Sequence, residues 1–216
     1  MAHRSEIMAQ LESWLTPEKF KDYSPNGLQV EGKAEINTLI TGVTASQVLL
    51  DAAVELKADM VLVHHGYFWK GEDPRVVGMK RNRLKTLLTH EINLVGYHLP
   101  LDDHPLYGNN RNLAQVLGIE NPRLLSGLVW RGEFAQAVTP QALSDRISSC
   151  LQRHPLHIEG GPGLIKTVAW CTGGAQGFID TAADAGLDAY ISGEISEPTT
   201  HTARERRIHY FAAGHH

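Results

Sequence analysis

Histidines and carboxylates stand in this sequence directly after runs of apolar residues, where a chain leaves a β-strand. His64 and His65 follow residues 60–63, and His98 follows 92–97 with Asp102 close behind. Glu194 follows 188–192 across Gly193, and His215 and His216 follow 208–213 across Gly214. In parallel α/β sheets the loops at the carboxyl ends of strands leave a crevice where ligands gather. Nitrogen and oxygen donors collected there form a ligand set for divalent Fe, Mn, Zn or Ni. A thiolate site is not expected, because neither Cys150 nor Cys171 is read as standing at such an end. Adjacent residues inside a strand point to opposite faces. At its last residues the chain leaves the pleat, so His64 and His65 can diverge toward two neighbouring ions that share a carboxylate. Asp102 and Asp103 are both candidates by type. His98 and Glu194 either orient the ligands or carry protons as catalytic groups. His3, His90, His154, His157, His201 and His209 read as structural.

These groups need strands and crossover helices to position them. Ser5 is expected to cap a first helix carrying Ile7, Met8, Leu11, Trp14 and Leu15 at helical spacing, ended by Thr16-Pro17. After a turn at Ser24-Pro25-Asn26-Gly27, residues 38–43 read as a buried strand. Thr44 or Ser46 then caps a helix with Val48, Leu49, Ala52, Ala53 and Leu56 on one face, and 60–63 is the next strand. A basic helix over 79–90, striped by Leu84, Leu87 and Leu88, leads to strand 92–97. Further on come a helix over 109–117, a strand over 124–134 and a helix opened by Thr139-Pro140 with Leu143, Ile147, Cys150 and Leu151 inward. Strand 167–171, helix 175–185, strand 188–192, helix 198–206 and strand 208–213 complete the chain. Setting Thr38 on Thr167 also brings Gln47 onto Gln176, Asp51 onto Asp180, Ala53 onto Ala182 and Asp59 onto Asp188, at one spacing of 129 residues. The fold class is therefore α/β, with two related lobes from an internal duplication, 1–122 and 123–216.

Composition narrows the function. Of 216 residues, 20 are Lys or Arg and 24 are Asp or Glu, a net charge of -4 that lacks the basic excess of a duplex nucleic-acid binder. Charges interrupt the apolar positions of the first residues, so they do not read as a secretory leader, and no apolar run is long enough to span a bilayer. Two cysteines 21 residues apart suit reduced, packed thiols. A cytoplasmic protein with no membrane partner is expected. No GxSxG elbow, GxxxxGK[ST] loop or GxGxxG turn is present, and Gly173-Gly174 reads as a tight turn. The run Lys80-Arg81-Asn82-Arg83-Leu84-Lys85 reads as a solvated helix face, or as the lining of an anion-binding cavity in an assembly.

Several of these segments together carry a resemblance: Ser24-Pro25-Asn26-Gly27-Leu28-Gln29-Val30-Glu31-Gly32, Thr41-Gly42-Val43-Thr44-Ala45-Ser46, Val63-His64-His65-Gly66-Tyr67-Phe68-Trp69, His98-Leu99-Pro100-Leu101-Asp102, Ser192-Gly193-Glu194 and Gly214-His215-His216. Over essentially its whole length the chain resembles the Ngg1-interacting-factor-three-like dinuclear-metal proteins, also called GTP cyclohydrolase I type 2 homologues. The resemblance implies two related α/β lobes, a centre of two divalent ions between them, and a toroidal homohexamer. Its metal ligands fall on His64, His65, Asp102 and His215. A further glutamate ligand is expected four residues after His215, beyond His216, in a longer gene product. The implied activity is hydrolysis of a purine nucleotide or related heterocycle by a metal-activated water, with His98 or Glu194 moving the proton. A two-metal phosphoesterase and a non-catalytic metal-binding scaffold or interaction module are the alternatives. Tyr67, Phe68 and Trp69 offer a stacking wall for a base or packing between subunits.

Overall fold

The computed structural model describes residues 1–215, and the chain in it separates into two units, Met1–Leu101 and Asp102 onward. The first unit runs β1 (Ala2–His3), α1 (Arg4–Leu15), a 3-10 turn at Pro17–Lys19, β2 (Gly27–Val30), β3 (Glu35–Ile36), β4 (Leu39–Thr44), α2 (Gln47–Glu55), β5 (Met60–His65), α3 (Gly78–Thr89), β6 (Asn93–Gly96) and the start of α4 (Leu99–Asp103). β4, β5 and β6 lie parallel in a sheet of order β2-β6-β5-β4, with β2 antiparallel to β6 at one edge. Alternation along β5 serves two cores. Val61 and Val63 pack with Leu50 and Ala53 of α2 and Leu84 and Leu87 of α3, whereas Met60 packs with Leu15, Ile36, Val95 and Tyr97.

Three local expectations change here. His3, not Ser5, caps α1: its imidazole accepts from the Ser5 N–H, and Glu6 returns a bond to the His3 N–H at 3.0 Å. β4 is an edge strand, so Leu39 and Val43 are exposed rather than buried. On α2, capped by Ser46, the buried positions are Leu50 and Ala53. Val48 and Leu56 face outward, as does Leu88 on α3.

The second unit continues with α5 (Asn109–Val116), β7 (Glu120–Ser126), β8 (Val129–Val138), α6 (Pro140–Leu151), β9 (Leu156–Ile158), β10 (Ile165–Cys171), a 3-10 turn at Gln176–Phe178, α7 (Ile179–Asp184), β11 (Ala189–Ser192), α8 (Glu197–Glu205) and β12 (His209–Ala212). Its sheet has the order β7-β8-β10-β11-β12-β9, with β10, β11 and β12 parallel. One face packs Leu117 and Ile119 with Leu143, Ile147 and Trp170. The other packs Ile179 and Ala182 of α7 and Ala203 of α8 with Tyr190 and Tyr210. Ala114 of α5 joins the Trp170 core, which explains why this unit starts at Asp102 and not at residue 123. The apolar run 124–134 is not one strand but parts of two, because Gly127 turns the chain at a left-handed φ of 56°. Cys150 is exposed instead of inward, and both cysteines are free thiols. No helix among the described residues is long and apolar enough to cross a membrane.

One clamp recurs in both units at the 129-residue spacing. The carboxylate of Asp59 accepts the N–H groups of Asn37 and Thr38 at 2.9 and 3.1 Å, and Asp188 accepts those of Lys166 and Thr167 at 2.9 and 2.8 Å. Gly32 and Gly161 share the spacing: a Cβ on Gly32 would meet the backbone nitrogen of Asn93, the first residue of β6, at 2.7 Å, and one on Gly161 that of His209, the first residue of β12, at 2.9 Å. Burial pushes the Asp59 carboxyl up, but the two backbone donors and the Lys33 ammonium more than offset this and hold it below the usual carboxylate range. A depressed folded-state pKa adds stability that is full above the unfolded value and drains as pH falls below it. Asp59→Asn is thus expected to be less stable than the wild type at pH 7 by roughly 1–3 kcal/mol. It should also lose less stability between about pH 4 and pH 2. Urea denaturation at both pH values checks this, and parallel losses on acidification would refute it.

Candidate metal centre

The carboxyl ends of β5 and β6 bring three imidazoles together. His64 and His65 are the last residues of β5, and His98 lies two residues beyond β6. One ligand atom from each lies within 4.8 Å of the others, and all three side chains are half-buried. The ring centroids of His64 and His65 are 4.4 Å apart, and that of His98 is 5.2 and 5.7 Å from theirs.

The bonds at the other ring nitrogens decide whether these imidazoles can ligate. Nδ1 of His64 sits 3.0 Å from the Tyr97 carbonyl oxygen, an acceptor only, so Nδ1 carries the hydrogen and Nε2 keeps its lone pair. His98 Nδ1 sits 2.7 Å from Asp22 Oδ1, which orients that ring in the same sense. His65 Nδ1 makes a long contact of 3.4 Å with Thr44 Oγ1. An imidazole tethered through one nitrogen to a carboxylate or carbonyl is the usual condition of a metal-ligating histidine. The donors therefore fit a divalent ion of the nitrogen-accepting kind.

Asp22 is a residue that sequence reasoning misses. Its side chain is 3% exposed, and its oxygens accept from Asn26 Nδ2, Leu99 N–H and Tyr23 N–H at 2.9, 2.9 and 2.6 Å. Burial pushes its carboxyl up, yet the bonds from His98, Asn26, Leu99 and Tyr23 outweigh that and hold it at about 2. Asn26 in turn accepts the His98 N–H at 2.8 Å. Asp22 therefore fixes the ring of His98 and Asn26 its backbone. Its partner in the chain is 76 residues away, a separation that no helical or strand period reports.

Of the three aromatics after His65, only Trp69 faces these rings, with centroids 5.9 Å from His65 and 5.0 Å from His98. Tyr67 is buried, and its hydroxyl donates to the Ala45 carbonyl at 2.7 Å. A Cβ on Gly66 would stand 2.1 Å from Gln29 Oε1, the acceptor of the Tyr67 N–H, so a larger residue there would displace that amide.

In the second unit, Asp102 lies in α4 and is 8% exposed. Its Oδ1 accepts from Asn109 Nδ2 at 2.8 Å and from the Thr172 hydroxyl at 3.1 Å. Buried Asn110 ties this region together: it donates to the Asp102 carbonyl and accepts the Thr172 N–H and, on its own carbonyl, the Trp170 indole N–H. Asp103 instead accepts from the Trp130 indole at 3.3 Å, and burial with the neighbouring Asp102 charge raises its pKa. His215 Nδ1 sits 2.7 Å from Glu194 Oε1, an arrangement like that of His98 and Asp22. Gly193 permits it, because a Cβ at that position would meet the His215 Cα at 2.7 Å. Of the expected residues, then, His64, His65 and His98 meet in one unit, and Glu194 meets His215 in the other. His216 lies outside the described residues.

Cys171 departs from expectation, since it is the last residue of β10 and does stand at a strand's carboxyl end. It is 4% exposed, and burial, with Asp102 and Asp103 behind it, pushes the thiol up to about 12.

Comparison with known proteins places this geometry. The family model Duf34/NIF3 (NGG1p interacting factor 3) matches residues 2–216. The chain is 54% identical over 213 residues to the GTP cyclohydrolase 1 type 2 homolog of Escherichia coli K12, covering 98% of this chain and 86% of that one. Among solved structures it superposes on protein ybgI, described as of unknown function, with a TM-score of 0.96 and 53% identity over 99% of this chain and 87% of that one. TTHA1606 from Thermus thermophilus gives a TM-score of 0.91 and 33% identity, with the same coverage of both chains.

Proposed function

Since this chain belongs to the Duf34/NIF3 (NGG1p interacting factor 3) family, we propose that it is a metal-dependent hydrolase. It opens the imidazole ring of a purine nucleotide with two divalent ions, whose ligands are His64, His65, Asp102 and His215. The observation that carries this reading is the triad of His64, His65 and His98, whose ligand atoms lie within 4.8 Å of one another. The relatives named GTP cyclohydrolase 1 type 2 homolog support a guanine nucleotide as substrate.

Bound ions of this kind supply Lewis acidity and a water acidic enough to ionise near neutral pH. Water adds at the carbon between the two ring nitrogens, one C–N bond breaks, and a proton passes to the departing nitrogen. His98, tethered to Asp22, is a candidate carrier of that proton, as is Glu194 through its bond to His215. Trp69 gives the base an apolar edge beside the imidazoles. A toroidal homohexamer in the cytoplasm belongs to the same proposal.

The test is an assay of the purified, metal-loaded protein against GTP, following guanine absorbance and released phosphate. Loss of guanine absorbance that falls at least about a hundredfold in His64→Ala and Asp102→Asn is expected. Phosphate release with the guanine spectrum intact would mark a two-metal phosphoesterase. Metal binding and assembly without turnover of any nucleotide would mark a scaffold. Turnover unchanged in both variants would remove the proposed site.

A further inference from the structure

The site above leaves the basic run of α3 unused, and the structure splits that run in two. Lys80 pairs with Glu72 at 2.6 Å and lies over the Phe68 ring, and the Arg83 guanidinium lies over Tyr67. Arg81 and Lys85, one helical turn apart, have no ion pair among the described residues. Both line a cavity of about 670 Å³ together with Gln47 from the start of α2 and Asn82, Thr86 and His90. No carboxylate lines it. Two like charges at this spacing repel each other on a helix, and here they converge on a space of the size that small molecules occupy.

We propose that this open groove binds a phosphorylated small molecule. Arg81 and Lys85 meet the phosphate. The site rests on the cavity alone and stands or falls apart from the hydrolase reading.

Calorimetric titration of the purified protein with ATP and with inorganic triphosphate at low salt tests it. The double variant Arg81→Ala, Lys85→Ala should weaken both ligands by roughly tenfold. A charge-matched control, Lys21→Ala with Arg204→Ala at two exposed positions outside the lining, should change them less than twofold. His64→Ala should leave inorganic triphosphate in place. Equal losses in the two double variants would reduce the effect to diffuse charge and overturn the proposal. So would binding that His64→Ala abolishes while Arg81→Ala, Lys85→Ala retains it, which would put the anion at the imidazoles instead.

Discussion

Metal bound by the wild type should be lost from a His64→Ala, His65→Ala double variant, with affinity falling by roughly four to six orders of magnitude. That figure follows from dividing the ~10–16 kcal/mol of a four-ligand zinc site among its ligands and removing two of them. Elemental analysis of the purified proteins and competition with a chelator measure it. The folded core should survive, because both side chains are half-buried at the end of β5 and neither joins a hydrophobic cluster. Asp22→Asn is the informative companion. It leaves every imidazole in place but removes the charge behind His98 and turns one of two accepting oxygens into a donor, so turnover should fall by about 10- to 100-fold while metal stoichiometry at saturating ion is kept. Full metal content in the double variant would separate these histidines from any ion the protein carries.

Trp170→Ala should cost about 3–5 kcal/mol of stability, the range for truncating a large buried aromatic side chain. The indole is fully buried in the core that also holds Leu117, Phe134, Leu143 and Ile147, and its N–H donates to the Asn110 carbonyl at 2.9 Å. Chemical denaturation reads the loss. Trp170→Phe keeps much of the volume and removes the bond, so it should cost less than half as much. The bond also has a consequence for the site, because Asn110 holds Asp102 and Thr172. Trp170→Phe is therefore expected to weaken metal binding although it touches no ligand. A Trp170→Ala protein as stable as the wild type would contradict this packing.

The parallel strands and their terminal histidines are legible in the sequence because apolar runs, helix caps and polar residues at strand ends are local signals. β5, β6, β10, β11 and β12 all fall within a few residues of where the pattern puts them. Groups fixed by distant partners are not legible. Nothing around Asp22 announces that it will hold His98, and nothing around Asn110 announces that it will serve Trp170 and Thr172 at once. The exposure of β4 is hidden because an apolar strand reads the same at a sheet's edge as at its centre. The hairpin of β7 and β8 reads as one strand because Gly127-Leu128 interrupts the apolar run too briefly to show as a turn. His3 escapes notice as a cap because imidazole is not among the usual capping side chains.

Because Asp59 and Asp188 grip equivalent strand starts, the chain contains its own control experiment. The backbone donors are the same in number and nearly the same in length, whereas the remaining partner is an ammonium, Lys33, in one place and a hydroxyl, Thr167, in the other. Removing each aspartate in turn, and comparing the two penalties, separates what a charge adds from what a hydroxyl adds, with sequence, solvent and reference state held in common.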